Sequence, residues 1–341
     1  MRLNKRQIIG FILVLAVAFF LSNYKLDYYI YQPGSIYELD EVVEVDGHFD
    51  SEGKIHLVTV RGGQATPIYY LWAQIRPYYE INDLSEVRPE GISEAEYRET
   101  QLAYMESSQE AAKVVAYERA GKDITIDYIG VYVLSVVEDM PAFGLLEVGD
   151  QIIEVNGEEV FSAEEVVAMT SSFNVGDTVA IKAKREEEVV DVSIELAPLP
   201  NEPNRAGMGV GLVTDRIVEV NPEVTFNSGA IGGPSAGLMM SLEIYNQLTS
   251  DDITKGYQIV GTGEIDYEGN VYRIGGVDKK VVAADRAGAD IFFAPNEGGK
   301  ARSNYEVALE TKEEIGTDMV IVPVDTFDDA LNYLEQLEPK Q

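Results

Sequence analysis

The segment Gly232-Gly233-Pro234-Ser235-Ala236-Gly237 leads into an apolar run that extends to Leu248. The run predicts a helix, and Ser235 then lies at its start, where free backbone N–H groups gather. Such a helix start can stabilise an oxyanion in acyl transfer, and the N–H groups of Gly233 and Ser235 are the candidate donors. The alternative is a structural role, because serine often caps a helix without taking part in chemistry.

A downstream lysine is a candidate base for Ser235. A serine hydroxyl becomes a good nucleophile only when a nearby group takes its proton, and that group is usually histidine. The chain has two histidines, His48 and His56, both far upstream, and it has no cysteine. Lysine can replace histidine where burial disfavours its charged form and lowers its pKa. Lys280 lies 45 residues after Ser235, in a second predicted helix that begins after Gly275-Gly276.

Helical spacing selects Lys280 over its neighbour Lys279. Positions three, four and seven apart share one face of a helix. From Lys280 those positions hold three alanines, which form a small apolar stripe that another element can approach closely. The corresponding positions from Lys279 include Arg286, which favours a more solvent-exposed face of the helix. We therefore predict that Lys280 is the base and that substitution of Lys279 is nearly silent.

The N-terminal sequence predicts a membrane anchor over residues 1–26. An apolar run from Ile8 to Leu21 has basic residues before it and tyrosines after it: Arg2, Lys5 and Arg6, then Tyr24, Tyr28, Tyr29 and Tyr31. Basic residues before a span favour a cytoplasmic N-terminus, and tyrosines suit the opposite interface, so the bulk of the chain is expected outside the cytoplasm. A cleaved signal peptide is the alternative, since Ala16-Val17-Ala18 resembles a cleavage site. Cleavage there would leave a very short hydrophobic region, which favours the uncleaved anchor.

Residues 27–122 read as a strand and helix segment. Lys54 to Val60 alternates as a half-buried strand would, and Arg61-Gly62-Gly63 predicts a turn after it. Ser93 and Glu96 predict a capping box at the start of a helix that stops at Gly121. No catalytic motif occurs here. We expect this segment to pack on the catalytic domain, because so small a unit rarely folds alone.

Residues 123–198 resemble a PDZ domain. Short predicted strands surround one helix, and the block Gly149-Asp150-Gln151-Ile152-Ile153-Glu154-Val155-Asn156-Gly157 is a specific marker of that family. PDZ domains add an extended peptide to a sheet edge and hold its C-terminal carboxylate in a turn of backbone N–H groups. The resemblance assigns that turn to Ile129, Gly130 and Val131, which have its hydrophobic-Gly-hydrophobic form. Peptide binding is therefore expected, and simple packing against a neighbouring domain is the alternative.

Three blocks beyond a proline-rich linker at 199–206 resemble the proteolytic domain of Lon-type proteases, over residues 207–338. The blocks are Gly233-Pro234-Ser235-Ala236-Gly237, Gly261-Thr262-Gly263-Glu264-Ile265, and Ile274-Gly275-Gly276 with Lys280. The resemblance implies a peptidase with a Ser/Lys dyad, in which Ser235 is the nucleophile, Lys280 the general base and Thr262 a hydroxyl beside the lysine. Better-known members of the family carry an acidic residue where this chain has Gly232. Lon-type domains commonly form rings, so the resemblance also implies a homo-oligomer.

The composition and the missing motifs argue against several kinds of ligand. With 26 basic and 59 acidic residues, the formal net charge is −33, which opposes binding to nucleic-acid backbones. The sequence has no phosphate-binding Gly-x-x-x-x-Gly-Lys-Ser/Thr motif and no apparent metal-ligand cluster, so neither ATP nor another cofactor nor a metal is expected. The ATPase module of Lon-type enzymes that unfold their substrates is therefore not predicted.

The sequence thus predicts an α+β protein with an N-terminal transmembrane helix, a strand and helix segment, a PDZ domain and a Lon-type α+β proteolytic domain. It resembles a membrane-anchored bacterial serine endopeptidase in which the PDZ domain recruits or positions substrate tails. The expected substrates are unfolded or flexible segments of extracytoplasmic or membrane proteins, as in protein quality control, cleaved without ATP. Two alternatives stay open: a non-catalytic PDZ-containing membrane sensor or scaffold, and a phosphate-binding enzyme similar to GHMP-type small-molecule kinases.

Overall fold

The computed structural model describes residues 4–88, 93–186, 188–199 and 202–340. Arg2 of the basic N-terminal flank and Pro200 and Asn201 of the expected linker lie outside the described residues. The helices are α1 (Lys5–Asn23), α2 (Pro67–Ala73), α3 (Leu84–Val87), α4 (Glu94–Arg119), α5 (Ala163–Ser171), α6 (Gly237–Leu248), α7 (Val277–Arg286), α8 (Asn304–Ile315) and α9 (Phe327–Glu335).

The strands alternate with these helices along the chain. They are β1 (Tyr28–Glu38), β2 (Val43–Val45), β3 (Lys54–Gln64), β4 (Glu80–Asp83), β5 (Asp123–Val136), β6 (Gln151–Val155), β7 (Glu158–Glu159), β8 (Thr178–Arg185), β9 (Glu188–Glu195), β10 (Ala197–Leu199), β11 (Glu202–Gly207), β12 (Val210–Asn221), β13 (Val224–Phe226), β14 (Gln258–Gly261), β15 (Glu264–Ile265), β16 (Val271–Tyr272), β17 (Ile291–Pro295) and β18 (Val320–Val324). The chain is thus a mixed α and β protein.

The chain divides into two compact units. Unit 1 consists of Met1–Ile124 and Val220–Gln341, and unit 2 is the intervening Thr125–Glu219. Unit 2 is therefore inserted in the sequence of unit 1. The chain passes from unit 1 to unit 2 within β5 and returns to unit 1 within β12.

Unit 1 is built on a six-stranded sheet in the order β18-β17-β14-β3-β1-β4. The strands from β18 to β3 are parallel, whereas β1 pairs antiparallel with both β3 and β4. Every residue of β17 is buried, as expected for a parallel strand that is covered on both faces. The same cover explains why Ile55 to Val58 of β3 are all buried rather than alternating.

The turn predicted at Arg61-Gly62-Gly63 is wrong, because β3 continues to Gln64 and pairs there with β1. Gly62 lies opposite Tyr31 in this ladder. A Cβ atom on Gly62 would lie 2.5 Å from the ring of Tyr29, so the glycine is needed for the close approach of a tyrosine side chain and not for a change of chain direction.

Helices cover both faces of the sheet in unit 1. Helices α4, α6 and α9 contribute to one core through Val115, Leu242 and Leu331, and α7 and α8 contribute to a second through Val281 and Ala308. Residues 27–122 therefore supply three of the six strands and the long helix α4 to the same unit that carries Ser235. The capping box predicted at Ser93 and Glu96 is present at the start of α4.

Unit 2 contains a twisted antiparallel sheet in the order β12-β5-β6-β8-β9, with β7 beside β6. Its core includes Val131, Ile152, Ile181 and Val166 of α5. The stretch 199–206, for which proline content favours a linker, instead contributes β11, which pairs with β10. Pro203 is compatible with β11 because each strand of a two-stranded ribbon leaves one side free of ladder bonds.

Helix α1 has no buried residue. Within the described residues it is the one helix long and apolar enough to cross a membrane, with a mean hydropathy of 1.8. A signal sequence has the same properties, so α1 is a candidate membrane span or signal sequence.

Candidate active site

Three elements of unit 1 bring Ser235, Thr262 and Lys280 together. Ser235 lies just before α6, Thr262 follows the carboxyl end of the parallel strand β14, and Lys280 is in the first turn of α7. Lys280 Nζ lies 2.8 Å from Ser235 Oγ and 2.8 Å from Thr262 Oγ1. The three side chains predicted from sequence therefore form one hydrogen-bonded cluster.

Ser235 does not cap α6. The N-cap position is occupied by Ala236, and no side chain caps this helix. The Ser235 hydroxyl points instead to Lys280 Nζ. The helix-cap alternative for Ser235 therefore does not describe this structure.

The hydroxyl of Thr262 fixes the direction of hydrogen bonding at Lys280. Thr262 Oγ1 donates to the carbonyl oxygen of Ser235 at 2.9 Å, so its own oxygen can only accept from Lys280 Nζ. When Lys280 is neutral, this arrangement leaves the Nζ lone pair directed to the Ser235 hydroxyl. The cluster is thus arranged for transfer of the Ser235 proton to Lys280.

Burial lowers the pKa of Lys280 to about 7. The side chain is 2% exposed. Desolvation disfavours the ammonium form because the low-dielectric surroundings cannot solvate its charge. A substantial neutral fraction then exists near neutral pH, which a base requires.

Lys279 is also buried, at 3% exposure, so the more solvent-exposed face expected for it is wrong. The difference between the two lysines is their partners. Lys279 Nζ binds Glu80 of β4 at 2.6 Å and Asp278 at 3.1 Å, whereas Lys280 contacts hydroxyl groups. Lys279 therefore makes ion pairs and links α7 to β4.

The N–H group of Gly233, a predicted oxyanion donor, is already engaged. Gly233 has a φ of +91°, and its N–H donates to the carbonyl oxygen of Gln101 on α4 at 2.7 Å. Among the described residues, the N–H of Ser235 has no acceptor. The site in this structure therefore offers the Ser235 N–H to an oxyanion and not that of Gly233.

Helix α4 holds the loop that carries Ser235. In addition to the Gln101 contact, Ser108 Oγ donates to the Pro234 carbonyl oxygen at 2.9 Å. A Cβ atom on Gly232 would lie 2.9 Å from Gln101 Cβ and 3.1 Å from its backbone. The close approach of α4 therefore leaves little room for a side chain at position 232, which explains the glycine there. Sequence reasoning missed this role of α4, because no local pattern shows which loop a helix will clamp.

A cleft of about 840 Å³ opens in front of Ser235 and Lys280. Its walls come from β1, β3 and α4 as well as from the loops around Ser235 and Ile274. The β14–β3 ladder ends at Gly261 and Leu57, and the next residues of β3, from Val58 to Gly62, line the cleft. These residues of β3 have β1 on one side and are free of β14 on the other.

Comparison with known proteins agrees with this geometry. The family model of the Lon protease (S16) C-terminal proteolytic domain matches residues 211–336, and that of the PDZ domain matches residues 105–196. The chain contains a Lon-type proteolytic domain and a PDZ domain. The first of these is a serine-type peptidase domain.

Curated relatives named Lon protease match parts of this chain. The chain is 39% identical over 100 residues to the Lon protease of Campylobacter concisus, 34% identical over 100 residues to that of Aster yellows witches'-broom phytoplasma, and 30% identical over 171 residues to that of Clostridioides difficile. These matches cover 29%, 29% and 47% of this chain but 11%, 12% and 20% of the relatives. The chain thus spans a small part of each relative's length.

The PDZ domain is similar to a solved one. It is 38% identical to the PDZ domain of the SdrC-like protein from Listeria monocytogenes, over 25% of this chain and 90% of that chain, with a TM-score of 0.23.

The predicted carboxylate-binding residues of the PDZ domain do not form a turn at a sheet edge. Ile129, Gly130 and Val131 lie inside β5, which has β12 on one side and β6 on the other. Val131 is fully buried and pairs with Ile152. A strand between two others offers a peptide little free backbone edge, so the strand order disfavours this assignment, which stays a prediction.

Strand β12 is one of the two terminal strands in the order β12-β5-β6-β8-β9, and a second motif of the same form lies at its start. Met208, Gly209 and Val210 also read hydrophobic-Gly-hydrophobic, and Gly209 has a φ of +81°. Thr214 Oγ1 of β12 accepts a hydrogen bond from Ala163 N–H at the start of α5, at 2.8 Å. Val210 and Leu212 of β12 pack on the same core as α5. The sequence signal was present, but the position of β12 at an edge depends on strand order.

Proposed function

We propose that the chain is a serine endopeptidase that hydrolyses peptide bonds by a Ser235/Lys280 dyad, without ATP. The observation that carries this proposal is the 2.8 Å contact between Lys280 Nζ and Ser235 Oγ, with a lysine whose pKa burial lowers to about 7. Neutral Lys280 takes the Ser235 proton as Oγ attacks the substrate carbonyl carbon. The resulting ammonium gives the proton to the leaving amine, and the acyl-enzyme forms. Water then attacks the ester carbonyl carbon while neutral Lys280 takes its proton. Lys280 returns that proton to Ser235 Oγ as the acid product leaves.

The substrate is proposed to be an unfolded or flexible polypeptide. The cleft admits an extended chain, and the free residues of β3 beyond Leu57 present a strand edge to which such a chain can add. A folded domain has no segment of this form to offer. Thr262 positions Lys280, and the N–H of Ser235 supports the oxyanion.

The test compares cleavage of casein, without ATP, by the full-length protein and by three variants. Ser235→Ala and Lys280→Ala each abolish cleavage, because one removes the nucleophile and the other the base. Lys279→Ala is the matched control, since it removes a neighbouring buried lysine that contacts no reacting group. It retains cleavage but destabilises unit 1, because Glu80 loses its partner. A Ser235→Ala variant that still cleaves casein refutes the dyad.

A wild type that cleaves no tested polypeptide, and a Ser235→Ala variant that complements a deletion strain, would instead support the non-catalytic sensor or scaffold. Extracts of the host's membrane proteins extend this test to the proposed substrates. Self-association stays a prediction from the resemblance to Lon-type domains, and sedimentation of the detergent-solubilised chain measures it.

We further propose that α1 is a retained anchor with its N-terminus in the cytoplasm, so that unit 2 and the part of unit 1 after α1 lie outside the bacterial cell membrane. Lys5 and Arg6 at the start of α1 support this orientation, and its length of 19 residues suits a span. Substrates would then be extracytoplasmic proteins or the outer segments of membrane proteins.

The PDZ domain is proposed to bind C-terminal peptides between β12 and α5. An edge strand offers unpaired N–H and C=O groups, Gly209 lets the preceding turn direct N–H groups at a carboxylate, and Val210 and Leu212 with α5 supply apolar contacts. Amide hydrogen exchange of the full-length protein tests the location. An apolar C-terminal peptide should protect amides of residues 208–214 and leave those of residues 129–131 unchanged. Protection confined to 129–131 would restore the other assignment.

A further inference from the structure

The short helix α2 of unit 1 has an apolar face that no described residue covers. Four side chains form this face, and their exposed fractions are 55% for Ile68, 62% for Leu71, 46% for Trp72 and 73% for Ile75. Their spacing places them on one side of the helical turns, and Ile75 continues the helix through a hydrogen bond from its N–H to the Trp72 carbonyl oxygen. Exposed apolar patches of this kind mark interaction surfaces.

The opposite side of α2 is fixed to unit 1. Ala73 is buried, and it packs in a cluster with Ile30 of β1 and with Tyr69 and Tyr70 of α2 itself. The exposed face is therefore not the result of a loosely placed helix. It is presented by a helix whose other side belongs to a core.

The helix that carries the apolar face lies beside the candidate membrane span. Helix α1 contacts α2. Three residues after α1 ends, Leu26 N–H donates to the Ala65 carbonyl oxygen at 2.9 Å, and Gln64 Nε2 donates to the Leu26 carbonyl oxygen at 2.9 Å. Ala65 directly precedes the N-cap of α2, Thr66. These bonds tie α2 to the point where α1 would leave a bilayer.

The composition around α2 suits a lipid surface. The chain has 59 acidic residues, yet none lies between Lys54 and Tyr79. The guanidinium of Arg76 lies 4.1 Å from the centre of the Trp72 ring. Tryptophan, tyrosine and arginine together are typical of membrane interfaces, where one end of a side chain is apolar and the other is hydrated or bound to phosphate. A face without carboxylates is also not repelled by anionic headgroups.

We propose that Ile68, Leu71, Trp72 and Ile75 insert into the headgroup region of the bilayer, as a second membrane contact beside α1. This inference rests on the proposed anchoring by α1. It places the cleft beside the membrane, because its wall begins at Tyr31, about 10 Å along β1 from Tyr28 at the rise of an extended strand. Substrate segments that reach Ser235 are then those close to the membrane surface.

Trp72 is the only tryptophan in the sequence, so its fluorescence reports on this face directly. The full-length protein is reconstituted in vesicles of phosphatidylcholine and phosphatidylglycerol, with or without lipids brominated near the headgroup end of the acyl chain. Trp72 should lose most of its fluorescence in the brominated vesicles and be shielded from iodide. Leu71→Glu with Ile75→Glu should abolish the lipid quenching and leave casein cleavage unchanged, since neither residue lines the cleft.

Two further variants separate this inference from the anchor. Trp72→Phe with Phe143→Trp moves the reporter to an exposed position of unit 2 and should show no lipid quenching. Trp72→Phe with Phe19→Trp moves it into α1 and tests the anchor itself. Quenching of the α1 reporter without quenching of Trp72 overturns the inference while the anchor stands. Shielding of Trp72 from iodide without lipid quenching also overturns it, because a protein surface or a second copy then covers the face.

Discussion

The buried amine of Lys280 makes cleavage depend on pH. Because burial lowers its pKa to about 7, Lys280 carries a proton below that pH and cannot accept one from Ser235. The value of kcat/KM for a quenched peptide should therefore rise as pH increases through about 7 and level off above it. Lys280→Arg is the control, since guanidinium stays protonated and activity should be absent at every pH. An ascending limb near the ordinary lysine pKa would refute the proposed environment.

Thr262 is expected to position Lys280 rather than to react. Thr262→Val keeps the shape of the side chain but leaves a Lys280 N–H without an acceptor and removes the bond to the Ser235 carbonyl oxygen. Loss of one buried partner costs about 1–3 kcal/mol, so kcat should fall roughly 10- to 100-fold. Thr262→Ser should restore most of kcat, because it returns the hydroxyl. Equal losses in both variants would indicate that the methyl group matters instead.

The dyad could be predicted from sequence because its signals are local. The glycine and proline before Ser235 indicate a helix start, and helical spacing separates Lys280 from Lys279. The engaged N–H of Gly233 could not be predicted in this way, because its acceptor is Gln101 on α4, more than a hundred residues earlier in the sequence. Donor orientation at such a loop depends on tertiary packing, which a single sequence does not show.

At the scale of elements, helix α6 carries a buried carboxyl group that lowers the stability of the fold at high pH. Burial raises the pKa of Glu243 to about 7, although a hydrogen bond from Gln247 opposes the shift. Gln247 also binds β2, through the Val43 carbonyl oxygen at 2.9 Å and the Val45 N–H at 2.8 Å. The pair therefore joins α6 to β2.

Glu243→Gln should stabilise unit 1 above neutral pH. The folded-state pKa lies above the unfolded value of 4.5, so the unfolded state releases its proton first and stability falls as pH rises between those values. The amide removes this loss, and the free energy of unfolding at about pH 8 should increase by about 1–3 kcal/mol, with little change at about pH 5. Urea unfolding followed by Trp72 fluorescence measures it. Glu313→Gln, at an exposed site, should change neither value.

The boundaries of some elements can be predicted from the sequence, whereas the position of others in a sheet cannot. The start of α4 follows from the capping box at Ser93, and the pair of strands β8 and β9 follows from two alternating runs. The position of β12 at a sheet edge cannot be predicted in this way, because Met208 to Leu212 and Ile129 to Val131 have similar local sequences. Strand order alone makes one an edge and the other a middle strand, and strand order is set by contacts distant in sequence.

At the scale of the whole molecule, the two points of unit 1 between which unit 2 is inserted lie close together. Asn221 Nδ2 is 3.5 Å from Asp123 Oδ2. Replacement of residues 125–219 by a short Gly-Ser linker should therefore leave unit 1 folded, with casein cleavage retained and binding of C-terminal peptides lost. Urea unfolding by Trp72 fluorescence and cleavage assays measure both effects, and Ser235→Ala in the shortened chain is the control. Loss of the cooperative unfolding transition would show that unit 1 needs unit 2 to fold.

The insertion also sets an order of events during synthesis. Strands β1, β3 and β4 and helix α4 leave the ribosome first, but their partners β14 and α6 follow only after Thr125–Glu219. At about 5–20 residues per second, synthesis of the insert alone takes roughly 5 to 20 s. During that interval the N-terminal half exists without Ser235, Thr262 or Lys280. The nascent chain thus cannot cut itself or its neighbours until its last third has emerged and closed the sheet.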